Sequence, residues 1–221
     1  RRVPLVHDPD RLALYKGLRA GIAVPITYGV VKPGDPDPDG VLFIRGGDIH
    51  EGQIADDLRT ISQKISGQYR RTLLRGGEIV VSLVGFPGQS ALVPSHLAGA
   101  NLARQAGLIA ISDDVMARWV HQFMQSTIGQ NILLHPLAGS AQQVINLVDL
   151  RRMPVLIPPP ELLPRYVERL EEFDAAAATI GSLNDVASTR LRGLMQQLLT
   201  GRRRLPAFVG EGWEEVHIGD I

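Results

Sequence analysis

Apolar residues recur in alternating steps of three and four along one stretch of the chain. The positions are Leu163, Tyr166, Leu170, Phe173, Ala177, Ile180, Asn184, Ala187, Leu191, Leu194 and Leu198, and only Asn184 among them is polar. A mean step of 3.5 residues keeps one narrow stripe facing a partner helix, which is the coiled-coil pattern. At 1.5 Å per residue the segment spans about 54 Å. A helix that long cannot bury its stripe against a small domain alone, so it asks for a second long helix. Two readings of Asn184 stand side by side. A buried Asn fixes register at some cost in stability. Alternatively, Leu183 and Val186 take over the seam at a local stutter and Asn184 faces solvent.

Ahead of that helix the pattern is of short strands and shorter helices. Val41–Arg45 and Glu78–Val84 read as strands, the latter the clearest in the chain, with shorter strands over Ala91–Val93, Leu108–Ile111 and Val155–Ile157. Ile49–Ile54 reads as extended after a Gly46-Gly47-Asp48 turn. Asp57–Tyr69 and Asp10–Arg19 read as helices. Val115–Ser126 is amphipathic, with Val115, Trp119, Val120 and Phe123 on one face, and Asn131–Leu134 extends it. The run Lys32-Pro33-Gly34-Asp35-Pro36-Asp37-Pro38-Asp39-Gly40 is a surface loop. Pro158-Pro159-Pro160 is a hard break before the long helix, and Gly201 closes it, with Arg202-Arg203-Arg204 beside its C-terminal dipole. The expected class is α/β of the α+β type: a globular body with a mixed sheet over 1–158, a coiled-coil helix over 159–201 and a tail over 202–221.

Composition narrows the chemistry. Of 221 residues, 23 are basic and 23 acidic, so any nucleic-acid role needs a local basic face rather than a polycationic chain. There is no cysteine, which excludes disulfides and thiolate metal sites and suits the cytoplasm. No apolar run is long enough to span a membrane. The opening Arg1-Arg2-Val3-Pro4 lacks both a signal-peptide core and an initiator Met, so a processed or excised chain is expected. No nucleophile elbow, zinc-protease helix, P-loop or dinucleotide fingerprint is present. The six histidines show no metal-ligand spacing. Asp56-Asp57 and Asp113-Asp114 are adjacent carboxylates that point apart, as turns or helix starts do. His121 reads as a surface or satisfied residue rather than a catalyst. No catalytic or metal site is expected.

The order of small motifs is more informative. Phe43-Ile44-Arg45-Gly46-Gly47-Asp48-Ile49 is followed by Gly77-Glu78-Ile79-Val80-Val81-Ser82 and by Gly85 with Gly88. Then come Gly139-Ser140-Ala141-Gln142-Gln143-Val144-Ile145-Asn146, Val155-Leu156-Ile157-Pro158-Pro159, the long helix and Leu198-Leu199-Thr200-Gly201-Arg202. In this order, over roughly residues 22 to 205, the chain resembles the DNA-specificity (S) subunit of type I restriction–modification systems. The resemblance implies a non-catalytic DNA reader. Its expected partners are double-stranded DNA, methyltransferase subunits that bind S-adenosylmethionine, and a motor-nuclease subunit in full complexes. It also implies two recognition domains held apart by two antiparallel helices. This chain carries one domain and one helix. The tail from Gly212-Trp213-Glu214-Glu215 to Gly219-Asp220-Ile221 looks like the opening of another recognition domain. A half-subunit that completes itself as a homodimer and a fragment of a longer subunit both fit.

A DNA reader needs cations for phosphates and donors or acceptors for base edges. The candidates are Arg59, Lys64, Arg70, Arg71 and Arg75 in one basic stretch, Asn101, Arg104 and Gln105 in a glycine-bounded polar segment, and Ser140, Gln142 and Gln143 after Gly139. The resemblance places a glutamine in that last loop. The reading from another class is a coiled-coil interaction module with no DNA role. Duplex binding that weakens steeply with salt separates the two.

Overall fold

Residues 79–82 are buried along their whole length, which explains why an unbroken apolar run rather than an alternating one marks them as a strand. They sit at the centre of a body whose elements, in a computed structural model, are given for residues 26–134, 144–210, 212 and 216–220. The strands are β1 (Ile26–Tyr28), β2 (Val41–Ile44), β3 (Ile49–His50), β4 (Gln53–Ile54), β5 (Arg59–Ile61), β6 (Ile79–Ser82), β7 (Ser90–Leu92), β8 (Asn101–Leu102) and β9 (Ala106–Ile109). The helices are α1 (Gln63–Gln68), α2 (Asp114–Gln125), α3 (Thr127–Leu134), α4 (Leu147–Arg152) and α5 (Leu163–Leu199).

The largest sheet has the order β1-β9-β6-β7 and is antiparallel throughout, with Val80 opposite both Leu108 and Ala91. A second sheet, β5-β2-β8, mixes an antiparallel pair with a parallel one. β3 and β4 form a hairpin. The pleat sends successive side chains to opposite faces. Val80 and Leu108 therefore join Ile44, Ile49 and Leu102 in a core shared with the second sheet. Ile79, Val81 and Ile109 meet Val120 and Met124 of α2, Leu133 of α3 and Leu150 of α4 on the other face. A smaller cluster of Val30, Phe43, Ile61 and Ala103 takes in Ile65 and Tyr69. The α+β class with a mixed sheet and a long terminal helix is thus realised.

Three expectations are corrected. Asp57–Tyr69 is not one helix: Arg59–Ile61 pairs with Val41–Phe43 as an edge strand, and Ser62 then caps a short helix by accepting the Ile65 N–H. Val155–Ile157 is not in a strand; the Leu156 carbonyl instead accepts the Trp119 indole N–H at 2.7 Å. Asn131–Leu134 belongs to a separate helix, because α2 stops at Ser126, whose hydroxyl accepts the Gly129 N–H and donates to the Phe123 carbonyl. The helix expected over Asp10–Arg19 lies outside the described residues.

The chain divides into two units, Arg1–Glu168 and Arg169–Ile221. The opening turns of α5 belong to the first, where Leu163 and Val167 are buried and the Tyr166 ring lies 6.2 Å from that of Trp119. In the second unit the helix continues to Leu199 and is closed by Gly201 at φ +71°, with its N–H on the Leu198 carbonyl. Along it the apolar seam is exposed: Phe173, Ile180 and Leu191 are 66%, 68% and 58% accessible, and Leu183 and Val186 about as open. No described helix is long and apolar enough to cross a membrane.

Candidate nucleic-acid interface

The turn that carries Arg75 and the turn that carries Arg104 and Gln105 fall at opposite ends of β6. At its N-terminal end, Glu78 takes the N–H groups of Arg75 and Gly76, each at 2.8 Å. Gly76 and Gly77 follow at φ +94° and +89°, a conformation that favours glycine. The turn leaves Arg75 exposed. Arg70 and Arg71 stand exposed on a single 3₁₀ turn, Arg70–Thr72, whose third residue is buried. Lys64 is exposed on α1 and Arg59 on the edge strand β5. The basic stretch is therefore a set of five solvent-facing cations on the segment between β5 and β6.

Asn101 has to be withdrawn from the DNA-facing set. It is fully buried. Its Oδ1 accepts from the Thr72 hydroxyl at 2.7 Å and the Leu102 N–H at 2.9 Å. Its Nδ2 donates to the Ser66 hydroxyl at 3.1 Å and lies 3.3 Å from the Ser66 carbonyl. The side chain ties β8 to α1 and to the 3₁₀ turn, so it positions the basic stretch from beneath.

Arg104 and Gln105 are exposed at the turn between β8 and β9. The Gln105 carbonyl receives the Leu83 N–H at 2.8 Å, which fixes the turn beside the C-terminal end of β6. Six residue steps of about 3.3 Å separate Glu78 from Val84, so the two groups lie roughly 20 Å apart.

This second end is more heavily built than the sequence suggests. Gly46 is wedged there, since a Cβ on it would lie 2.7 Å from the Val84 carbonyl oxygen and 2.9 Å from that of Gln105. Arg45 grips the buried Asp48 through both Nε and Nη2, and the Asp48 carboxylate also accepts the Arg45 backbone N–H at 2.7 Å. That carboxylate pushes the Arg45 guanidinium further towards its charged form. Beside it the β3–β4 hairpin turns through Glu51 and Gly52 at φ +47° and +81°. The Glu51 N–H is held by the Gln89 side chain at 2.9 Å, and the His50 ring lies 4.5 Å from Phe86. Phe86, at the tip between β6 and β7, is half exposed.

The sequence reading passed over Arg45, Asp48, His50 and Phe86. The GGD turn and the Gly85-Phe86-Pro87-Gly88 tip were their only local signals. Ser140, Gln142 and Gln143 lie outside the described residues. Their downstream flank is placed: Val144 bridges Val84, and the Ile145 N–H bonds the Leu83 carbonyl. Arg202 and Arg203 are exposed beyond the helix end.

The chain is similar in sequence to the EcoBI specificity subunit of the type I restriction enzyme from Escherichia coli, with 32% identity over 189 residues and 85% of this chain covered. Over those residues the chain resembles part of a type I restriction enzyme specificity subunit. It spans 39% of the length of that curated relative. No protein-family model matches the chain. In fold it is similar to a chain from a structure of complex assembly and conformational transition in the type I R-M system, at TM-score 0.57 and 17% identity, over 85% of this chain and 50% of that one. The HsdS subunit from Thermoanaerobacter tengcongensis gives TM-score 0.52 and 18% identity, over 87% and 49%.

Proposed function

We propose that this chain is a non-catalytic DNA-reading part of a cytoplasmic type I restriction–modification complex. It directs methyltransferase subunits, and a motor-nuclease subunit where one is present, to a split target sequence. The observation that carries this reading is the 32% identity to a specificity subunit over 85% of the chain. Exposed cations between β5 and β6, and the Arg104–Gln105 turn, supply the kinds of side chain that duplex recognition needs. Methyl transfer belongs to the partner subunit, which binds S-adenosylmethionine.

The exposed seam of α5 supports a spacer and assembly role for the helix. Its occupant is a second long helix, from another copy of the chain or from the remainder of a longer subunit. A homodimer would read a twofold-symmetric split site, and helix length would set the gap between its halves. An interaction module with no DNA role would also expose the seam, but it gives no account of the body's relationship.

The test is to express the chain with its methyltransferase subunits in a host lacking other modification systems and map methylated bases genome-wide. A bipartite methylated motif that disappears when this chain is deleted is the expected result. An unchanged methylation map, together with no salt-sensitive duplex binding by the assembled complex, refutes the proposal.

A further inference from the structure

We propose that bases are read by the end of the body where the β6–β7 tip, the β3–β4 hairpin and the Arg104–Gln105 turn meet, with the Phe86 ring stacking on a base or sugar. Arg70, Arg71 and Arg75, on the segment that leads into the other end of β6, then serve the phosphates. This rests on the DNA-reading function above and names the surface that carries it.

Three observations point to that end. First, a large aromatic is displayed there beside a second ring. Phe86 is 50% exposed, yet it is flanked by Gly85 and Gly88 at φ +96° and +91° and set against the His50 ring at 4.5 Å. Glu51, the one described non-glycine residue at positive φ, is pinned by Gln89 from the same tip. A non-glycine residue held in that region marks a place that the surrounding structure over-determines. An exposed ring suits stacking, because every base has a π-face.

Second, amide and guanidinium groups stand free next to it. Arg104 and Gln105 are exposed, and the turn is fixed through the Gln105 backbone rather than its side chain. Arg pairs with guanine and Gln with adenine at base edges. Third, the Arg45 charge is already engaged by Asp48, so this end is not dominated by unpaired cations. The stretch with Arg59, Lys64, Arg70, Arg71 and Arg75 has the opposite character, with five exposed cations close in sequence. Such a set suits phosphates, which position a protein without reading sequence.

The experiment is a selection from a randomised duplex pool, using this chain assembled with its methyltransferase partner. Affinities are then measured for the selected duplex and for a random-sequence duplex. Phe86→Ala and Gln105→Ala should each weaken the selected duplex about ten-fold, the size expected for one stacked or edge-read base, and leave the random duplex unchanged. Phe86→Trp should keep binding within about three-fold, since it preserves a stacking face. The triple variant R70A/R71A/R75A should weaken both duplexes and flatten the salt dependence by up to about three charges. If the wild-type complex enriches no motif, the DNA-reading function itself fails. If it enriches a motif that Phe86→Ala and Gln105→Ala bind as tightly as wild type, that function stands and this inference falls. A Phe86→Ala loss equal on both duplexes and matched by a lower melting temperature also overturns it, because the ring would then be structural.

Discussion

Replacing Asn101 with alanine separates a supporting residue from a reading one. The side chain is fully buried and serves polar groups from three segments. Truncation removes the bond that the Leu102 N–H makes at 2.9 Å, and a buried donor left unpaired costs about 1–3 kcal/mol. The Thr72 hydroxyl is less affected, because the Tyr69 carbonyl lies 3.0 Å from it and can take its proton. The lost Ser66 contact adds about 0.5–1.5 kcal/mol, giving roughly 2–4 kcal/mol in all. For a chain of this size that corresponds to a fall in Tm of about 5–15 °C. The assay is thermal and urea unfolding of wild type, N101A, T72V and the double variant. T72V should cost about 1 kcal/mol, since the Asn101 oxygen keeps the Leu102 N–H. The two changes should be non-additive, as expected for bonded partners. Stability of N101A within about 0.5 kcal/mol of wild type would refute the buried-hub argument. So would loss of duplex binding at a temperature where the variant is fully folded, since that would put Asn101 at the DNA.

Three further outcomes are expected. Gly46→Ala drives a methyl into the Val84 and Gln105 carbonyl oxygens and should cost about 1–3 kcal/mol; an unchanged urea midpoint would refute that contact. Ile180→Glu places a charge on an open part of the helix, so sedimentation should show weaker self-association or partner binding while the melting temperature of the free chain stays constant. Trp119→Phe removes the 2.7 Å bond to the Leu156 carbonyl and should cost about 1 kcal/mol by chemical unfolding, with no change of fold by circular dichroism.

What was legible in the sequence was whatever announced itself locally. The 37 residues of α5 repeat their apolar step along the whole helix, so existence and extent were both plain. β6 was plain because both of its faces are buried, and α2 because its apolar positions fall on one face behind the Asp113 cap. Arg59–Ile61 was not, because a three-residue edge strand is too short to show its period and is followed at once by a helix. Val155–Ile157 has strand composition but pairs with no strand among the described residues, and tertiary context decides. The candidate interface was half legible. Exposed cations can be read from charge alone. The role of Asn101 depends on Ser66 and Thr72, some 30 residues away in sequence, and no local pattern reports that. The Arg45–Asp48 grip and the Phe86–His50 contact are likewise products of packing between loops.

The described residues on either side of 135–143 are anchored to the body. Upstream, Leu133 and Leu134 close α3 against Gly88, and the Gln130 amide donates to the Gly88 carbonyl at 3.0 Å. Downstream, Val144 and Ile145 are stitched to Val84 and Leu83. Both attachments are made to the same β6–β7 hairpin, and the downstream stitches run through main-chain atoms on both sides. Because the downstream stitches are main-chain bonds, a side-chain change at Val144 or Ile145 that leaves the backbone in place keeps them. The β6–β7 hairpin is thus a common anchor for two stretches of chain that come from different elements, and a change in its pitch would be felt by both.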